Sequence, residues 1–188
     1  SIPKMKNEYV VVGANLDHVG MQGTTCLFPG ADNNASGVAA LLETARLLQL
    51  SEDQPSRSVI FVLFSAGEQQ RLGSQIFVSN FTPLKNIEAF VNVQSIGSGD
   101  SISVLGNKRY PHLWDVARRV DTLYGTKDMC VGFKTMPKGD AIAFDYVGIP
   151  SINITNYKGN RHPYVPSDIP ENIDRRFIVK ATQLLFET

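Results

Sequence analysis

Pro29-Gly30-Ala31-Asp32-Asn33-Asn34-Ala35-Ser36-Gly37 is the stretch whose reading decides the fold. Proline and glycine open it as a turn. The asparagines then offer N-caps to a helix whose apolar residues Val38, Leu41, Leu42, Ala45 and Leu48 recur at helical spacing. On its other side, Glu8–Ala14 is a short run rich in valine, the pattern of a buried strand. Asn15-Leu16-Asp17-His18 follows that strand directly. Ser58–Ser65 reads as a second buried strand, followed by Gly67-Glu68-Gln69. Polar, chemistry-bearing residues therefore collect where strands end and helices begin, which is where open α/β sheets bind their ligands.

The rest of the chain keeps this alternation. Leu72–Ser79 predicts a short helix, and Ile87–Val93 and Ser101–Leu105 predict strands. Pro111 suits the first turn of a helix with Leu113, Val116, Val120 and Leu123 on one face. Asp140–Val147 predicts a short helix and Ile149–Ile154 a strand. Asp174 is placed to cap a last helix that turns Phe177, Ile178, Ala181, Leu184 and Leu185 inward. The expectation is an α/β fold with a mostly parallel central sheet between helical layers. No repeat or linker divides the chain, so residues 1–188 read as a single domain.

Composition narrows the possibilities. Of 188 residues, 43% are hydrophobic and 19% charged, which suits a globular domain. The formal net charge is zero, so no electrostatic footprint for nucleic acid is present. The longest apolar runs fall far short of the roughly 20 residues that span a bilayer. Cys26 and Cys130 lack metal-type spacing; two free thiols or one disulfide both remain open. No nucleophile triad, dinucleotide fingerprint or phosphate loop is found.

In combination, the motifs resemble the di-zinc aminopeptidases, a family that includes bacterial leucyl aminopeptidases, glutaminyl cyclases and the peptidase-like domain of the transferrin receptor. The resemblance runs from the first strand to the last helix and implies a three-layer α/β/α sandwich. Such an enzyme needs a bridging carboxylate, further carboxylate or imidazole ligands, and a general base. Carried over residue by residue, Asn15 stands where a zinc-binding histidine is expected. Asp17 matches the aspartate that orients that histidine, and His18 is a common neighbour. Asp32 matches the bridging aspartate, with Asn33 where a second aspartate is usual. Gly67 falls at the general base and Glu68 at a metal ligand. Gln94, in Asn92-Val93-Gln94-Ser95-Ile96-Gly97, replaces a ligand aspartate, and Tyr164 replaces the last ligand histidine. Asp140 matches an acidic position near the pocket, and Pro166-Ser167-Asp168-Ile169-Pro170-Glu171-Asn172-Ile173-Asp174 keeps the family pattern. The strands that usually precede the first motif have no counterpart here.

On this alignment only Asp32 and Glu68 keep a ligand carboxylate. Amides are poor zinc ligands, and an ordinary tyrosine, with a pKa of about 10, is un-ionised at neutral pH. The expectation is therefore a peptidase homologue without activity and without a bound cofactor. It would keep a cleft for a peptide or protein partner, or serve a structural role. Asn15 and Gln94 would hydrogen-bond Asp32 and Glu68 in place of metal, and Asp32 would cap the first helix. The alternative is an active metallo-aminopeptidase with one zinc held by Asp32, Glu68 and either Tyr164 or His162. The resemblance also favours a secreted or periplasmic location.

Overall fold

A computed structural model of the chain describes residues 5–123, 130–132, 135–159 and 164–188. In chain order the elements are β1 (Met5–Asn15), β2 (Gly20–Gln22), β3 (Cys26–Phe28), a wide turn over Ala31–Ser36, α1 (Gly37–Leu50), β4 (Arg57–Phe64) and α2 (Leu72–Asn80). They continue with β5 (Ile87–Val93), β6 (Ser101–Leu105), α3 (Pro111–Leu123), β7 (Cys130–Gly132), α4 (Ala141–Tyr146), β8 (Ser151–Tyr157) and α5 (Arg175–Glu187). A central sheet runs in the order β4-β1-β5-β8-β6-β7, parallel except where β6 meets β8. The short strands β2 and β3 form a separate antiparallel hairpin.

Alternating side chains send each strand's residues to opposite faces. On one face Val12, Ala14, Val91, Val93, Ile152 and Ile154 pack against Ala40 and Leu41 of α1, Ala117 and Val120 of α3, and Ala181, Leu184 and Leu185 of α5. On the other, Val11, Phe64 and Phe90 meet Val78 of α2 and Phe144 of α4. The fold is thus the expected three-layer α/β/α sandwich. The second face is aromatic: Phe90 and Phe144 stack with centroids 3.8 Å apart, and Phe64 and Phe77 close around them at 5.7–6.2 Å. Gly13 makes this possible. A Cβ there would lie 2.6 Å from the Phe64 ring and 2.8 Å from the Phe90 ring.

Several expectations shift in detail. The first helix starts at Gly37, and neither Asn33 nor Asn34 caps it, because both side chains are bonded elsewhere. Leu41 is buried but its neighbour Leu42 is exposed, since the sheet-facing stripe of α1 runs through Ala40, Leu41 and Thr44 and leaves Leu42 beyond its edge. Leu123, the last residue of α3, is likewise in solvent. The strand expected from Ile149 starts at Ser151, and Ile149 fills the core from the preceding loop. Asp174 caps α5 as expected, accepting from Arg176 N–H. Cys26 is a free thiol.

Truncating the centre of the aromatic layer tests this packing. Phe144→Ala removes a fully buried ring, and an expected loss of about 3–5 kcal/mol is measurable by urea unfolding. A loss below about 1 kcal/mol would mean that the phenylalanine cluster does not carry that face of the sheet.

Candidate functional site

The parallel strands deliver their carboxyl ends to one rim of the sheet. Asn15 is the last residue of β1. After β4, the chain makes a tight loop through Ala66, Gln70 and Arg71, all with positive φ. The first turn of α2 then presses on the strand end, where a Cβ on Gly73 would come 2.2 Å from the Ser65 carbonyl oxygen. Gly67 and Glu68 are thereby fixed beside Asp17, whose carboxylate accepts their N–H groups at 2.8 and 3.3 Å. Asp17 therefore orients the loop carrying Glu68 and makes no side-chain bond to Asn15. Its carbonyl, in turn, accepts from the Asn15 amide at 3.0 Å.

The wide turn holds the next group. Asp168 clamps it from outside: its carboxylate accepts from Asp32 N–H at 2.6 Å and Asn33 N–H at 3.1 Å. Asp32 is buried, and both its oxygens are occupied. Gly97 N–H donates at 2.6 Å, the Ser98 hydroxyl at 2.5 Å, the Asn156 amide at 3.2 Å and the Ser36 hydroxyl at 3.3 Å. Asp32 is thus not a helix cap. It ties the turn to the segment after β5 and to the end of β8. Adjacent residues point differently: Asn33 Oδ1 accepts from the Gln94 amide and the Ser95 hydroxyl, both at 3.3 Å. Asn34 donates to Asn15 Oδ1 at 2.9 Å and to the Val93 carbonyl at 3.0 Å, and accepts from Ser95 N–H at 3.0 Å.

An amide network does form, but with other partners than expected. Gln94 meets Asn33, and Asn15 meets Asn34; neither amide bonds Asp32 or Glu68. Glu68 instead receives the Tyr164 phenol, whose pKa is raised by burial and then by that hydrogen bond. Tyr164 stacks on His18, rings 9° from parallel. The His18 ring is buried over Gly30, where a Cβ would come within 2.7 Å of it. Its Nδ1 lies 3.5 Å from Glu68, yet neither ring nitrogen makes a hydrogen bond among the described residues. A cavity of about 230 Å³ opens beside the turn, lined by Asp32, Ser98, Ser167, Asp168, Asn172 and Ile173. His162 lies outside the described residues.

Space at Gly67 is also taken. A Cβ there would lie 2.9 Å from Asn15 Cβ and 3.1 Å from an Asp17 carboxylate oxygen. Among the described residues, no group of three or more His, Cys, Asp and Glu side chains could hold a metal ion.

The family model for peptidase family M28 matches residues 1–188. The chain belongs to that family. A probable leucine aminopeptidase from Arthroderma otae is 28% identical over 192 residues, covering 98% of this chain and 54% of that protein. Leucine aminopeptidase 1 of Sclerotinia sclerotiorum is 29% identical over 143 residues, covering 68% of this chain and 37% of that protein. This chain thus spans about a third to a half of these relatives. A zinc aminopeptidase from Bacillus subtilis superposes with a TM-score of 0.84 at 23% identity, over 97% of this chain and 46% of that one. The glutaminyl cyclase of Porphyromonas gingivalis gives 0.81 at 22% identity, over 96% of this chain and 72% of that one. Both likenesses establish the fold alone.

Sequence reasoning named Asn15, Asp17, His18, Asn33, Glu68, Gln94 and Tyr164, and the fold brings them to one rim. It missed the donors that fill Asp32: Gly97 closes the motif that carries Gln94 with no donor role assigned to it, and Ser98 and Asn156 lie outside any motif. Asp140, just before α4, is buried behind this rim, with one carboxylate oxygen lacking a hydrogen bond among the described residues. Burial raises its pKa; Asp17 adds to the rise, while the Ser74 hydrogen bond and Arg71 oppose it.

Two variants separate the roles of these carboxylates. Asp32→Ala leaves buried donors unpaired and should cost at least about 3 kcal/mol, measured by chemical denaturation. Asp140 behaves oppositely, because its carboxyl is easier to protonate in the folded state. Its stabilising contribution is full below the ordinary carboxylate pKa of about 3.9 and is lost as pH rises through the raised folded value. Asp140→Asn should therefore stabilise the protein near neutral pH, by on the order of 1 kcal/mol, with the gain shrinking on acidification. A gain that is independent of pH would contradict this assignment.

Proposed function

We propose that this chain is a peptidase-family domain that has exchanged metal chemistry for a hydrogen-bonded amide site, and that it binds a peptide or protein partner without hydrolysing it. The observation that carries this reading is the packing at Gly67. The position expected to bear the general base has no side chain, and Asn15 and Asp17 close the space that one would use. Loss of a general base typically costs roughly 10²–10⁴-fold in rate.

The donor set supports the same reading. Asn15, Asn33 and Gln94 are neutral amides that satisfy one another or nearby backbone. The Asp32 carboxylate is filled by protein donors, and Glu68 receives a phenol whose raised pKa keeps its proton in place at neutral pH. These residues do not fit a pair of zinc ions, which need imidazole, carboxylate or thiolate donors free to coordinate. The Tyr164–His18 stack and the cavity beside Asp32 give a partner an aromatic surface next to polar groups.

One observation favours a second reading. His18 Nδ1, beside Glu68 and without a hydrogen bond among the described residues, could accept a single ion, which would make the chain a mononuclear metallo-aminopeptidase. Elemental analysis after incubation with excess zinc and desalting separates the two readings. The expected result is far less than one zinc per chain, with no release of N-terminal residues from peptides. One tightly held zinc together with chelator-sensitive aminopeptidase activity would overturn the proposal in favour of the second reading.

A further inference from the structure

We propose that the Glu68 carboxylate, with the His18 and Tyr164 rings beside it, takes an arginine guanidinium from a peptide. This inference rests on the peptide-binding reading above and names the chemical group that is held.

The four carboxylates of the rim are unequally occupied. Asp32 accepts from four donors. Asp17 and Asp168 each accept from two backbone N–H groups. Glu68 accepts from the Tyr164 phenol, a single donor for a group with about four lone-pair sites. Its side chain is 24% exposed. Among the described residues, none of these four acids forms an ion pair with a lysine or arginine. Arg71 acts instead on Asp140. The rim therefore presents uncompensated negative charge, which draws cations.

An acidic rim alone selects no ligand, and His18 supplies a second observation. Its side chain is 7% exposed, and its Nδ1 lies 3.5 Å from Glu68 Oε1. Neither ring nitrogen has a hydrogen bond among the described residues. A buried polar atom left unpaired is costly. A neutral imidazole has one accepting nitrogen, so a cation that donates to Glu68 and to His18 relieves that cost.

Shape then selects among cations. The His18 and Tyr164 rings lie 9° from parallel with centroids 5.6 Å apart, and Tyr164 is 53% exposed. A guanidinium is planar, stacks on aromatic rings and offers a carboxylate a fork of N–H donors. It is also more weakly hydrated than an ammonium, so it enters a half-buried site with a smaller desolvation penalty.

The test is an NMR titration of the isotope-labelled 188-residue chain, without metal. The probe is a pentapeptide of glycines around one arginine, acetylated and amidated so that it carries no terminal charge. Two control peptides replace the arginine by citrulline, its neutral isostere, or by lysine. The expected result is saturable binding of the arginine peptide, at least about tenfold tighter than either control. Glu68→Gln should weaken it by a similar factor. Tyr164→Leu should weaken it several-fold and keeps the experiment decisive if Glu68→Gln fails to fold by circular dichroism. Glu88→Gln removes the same charge from an exposed position at the amino end of β5, away from the rim, and should leave binding unchanged. Absence of saturable binding would overturn the proposal. So would a folded Glu68→Gln or Tyr164→Leu that binds like the wild type. A citrulline or lysine peptide that binds as tightly as the arginine peptide would overturn it while leaving the peptide-binding reading intact. Release of the first residue from an unblocked arginine peptide would instead overturn that underlying reading.

Discussion

The Asp32 carboxylate holds the functional rim together. It lies at the junction of the wide turn, the segment after β5 and the last residues of β8, and it accepts hydrogen bonds from each. A buried carboxylate is tolerated when such donors replace water. The Asp168 side chain completes the arrangement from outside by gripping the backbone of the same turn. Together these two acids fix where Asn33 and Asn34 point, and thereby how the amide network meets β1 and β5. The rim is therefore held through protein donors.

Much of the fold was legible because hydrophobic periodicity is a local property. β5 and β6 have the bounds that their apolar runs suggest, and Asp174 sits in the capping position that its spacing before Phe177 implies. The hairpin of β2 and β3 and the edge strand β7 were not legible. Each strand has three residues, too few to show alternation. The antiparallel placement of β6 beside β8 was hidden for another reason, since strand order depends on contacts distant in sequence.

The candidate site was legible as a list of positions, but its wiring was not. A turn sends consecutive side chains in different directions, so Asp32 and Asn33, adjacent in sequence, serve different parts of the rim. Nothing in the order of the residues says that Asp32 would find Ser98 and Asn156, or that Glu68 would pair with Tyr164. Membership of peptidase family M28 accounts for the fold. Which side chains touch, and whether space remains for a base at Gly67, depends on packing within the folded chain.

The two helical layers differ in a way that bears on how unfolding is observed. The single tryptophan, Trp114, packs against the layer formed by α1, α3 and α5. The opposite layer is built around phenylalanines, with Tyr9 at its margin. Intrinsic indole emission therefore reports on one side of the sheet and is nearly blind to loosening on the other. A melt followed by tryptophan fluorescence alone would look cooperative even if α2 and α4 had already detached, so near-ultraviolet signals from the phenyl and phenol rings supply the missing view.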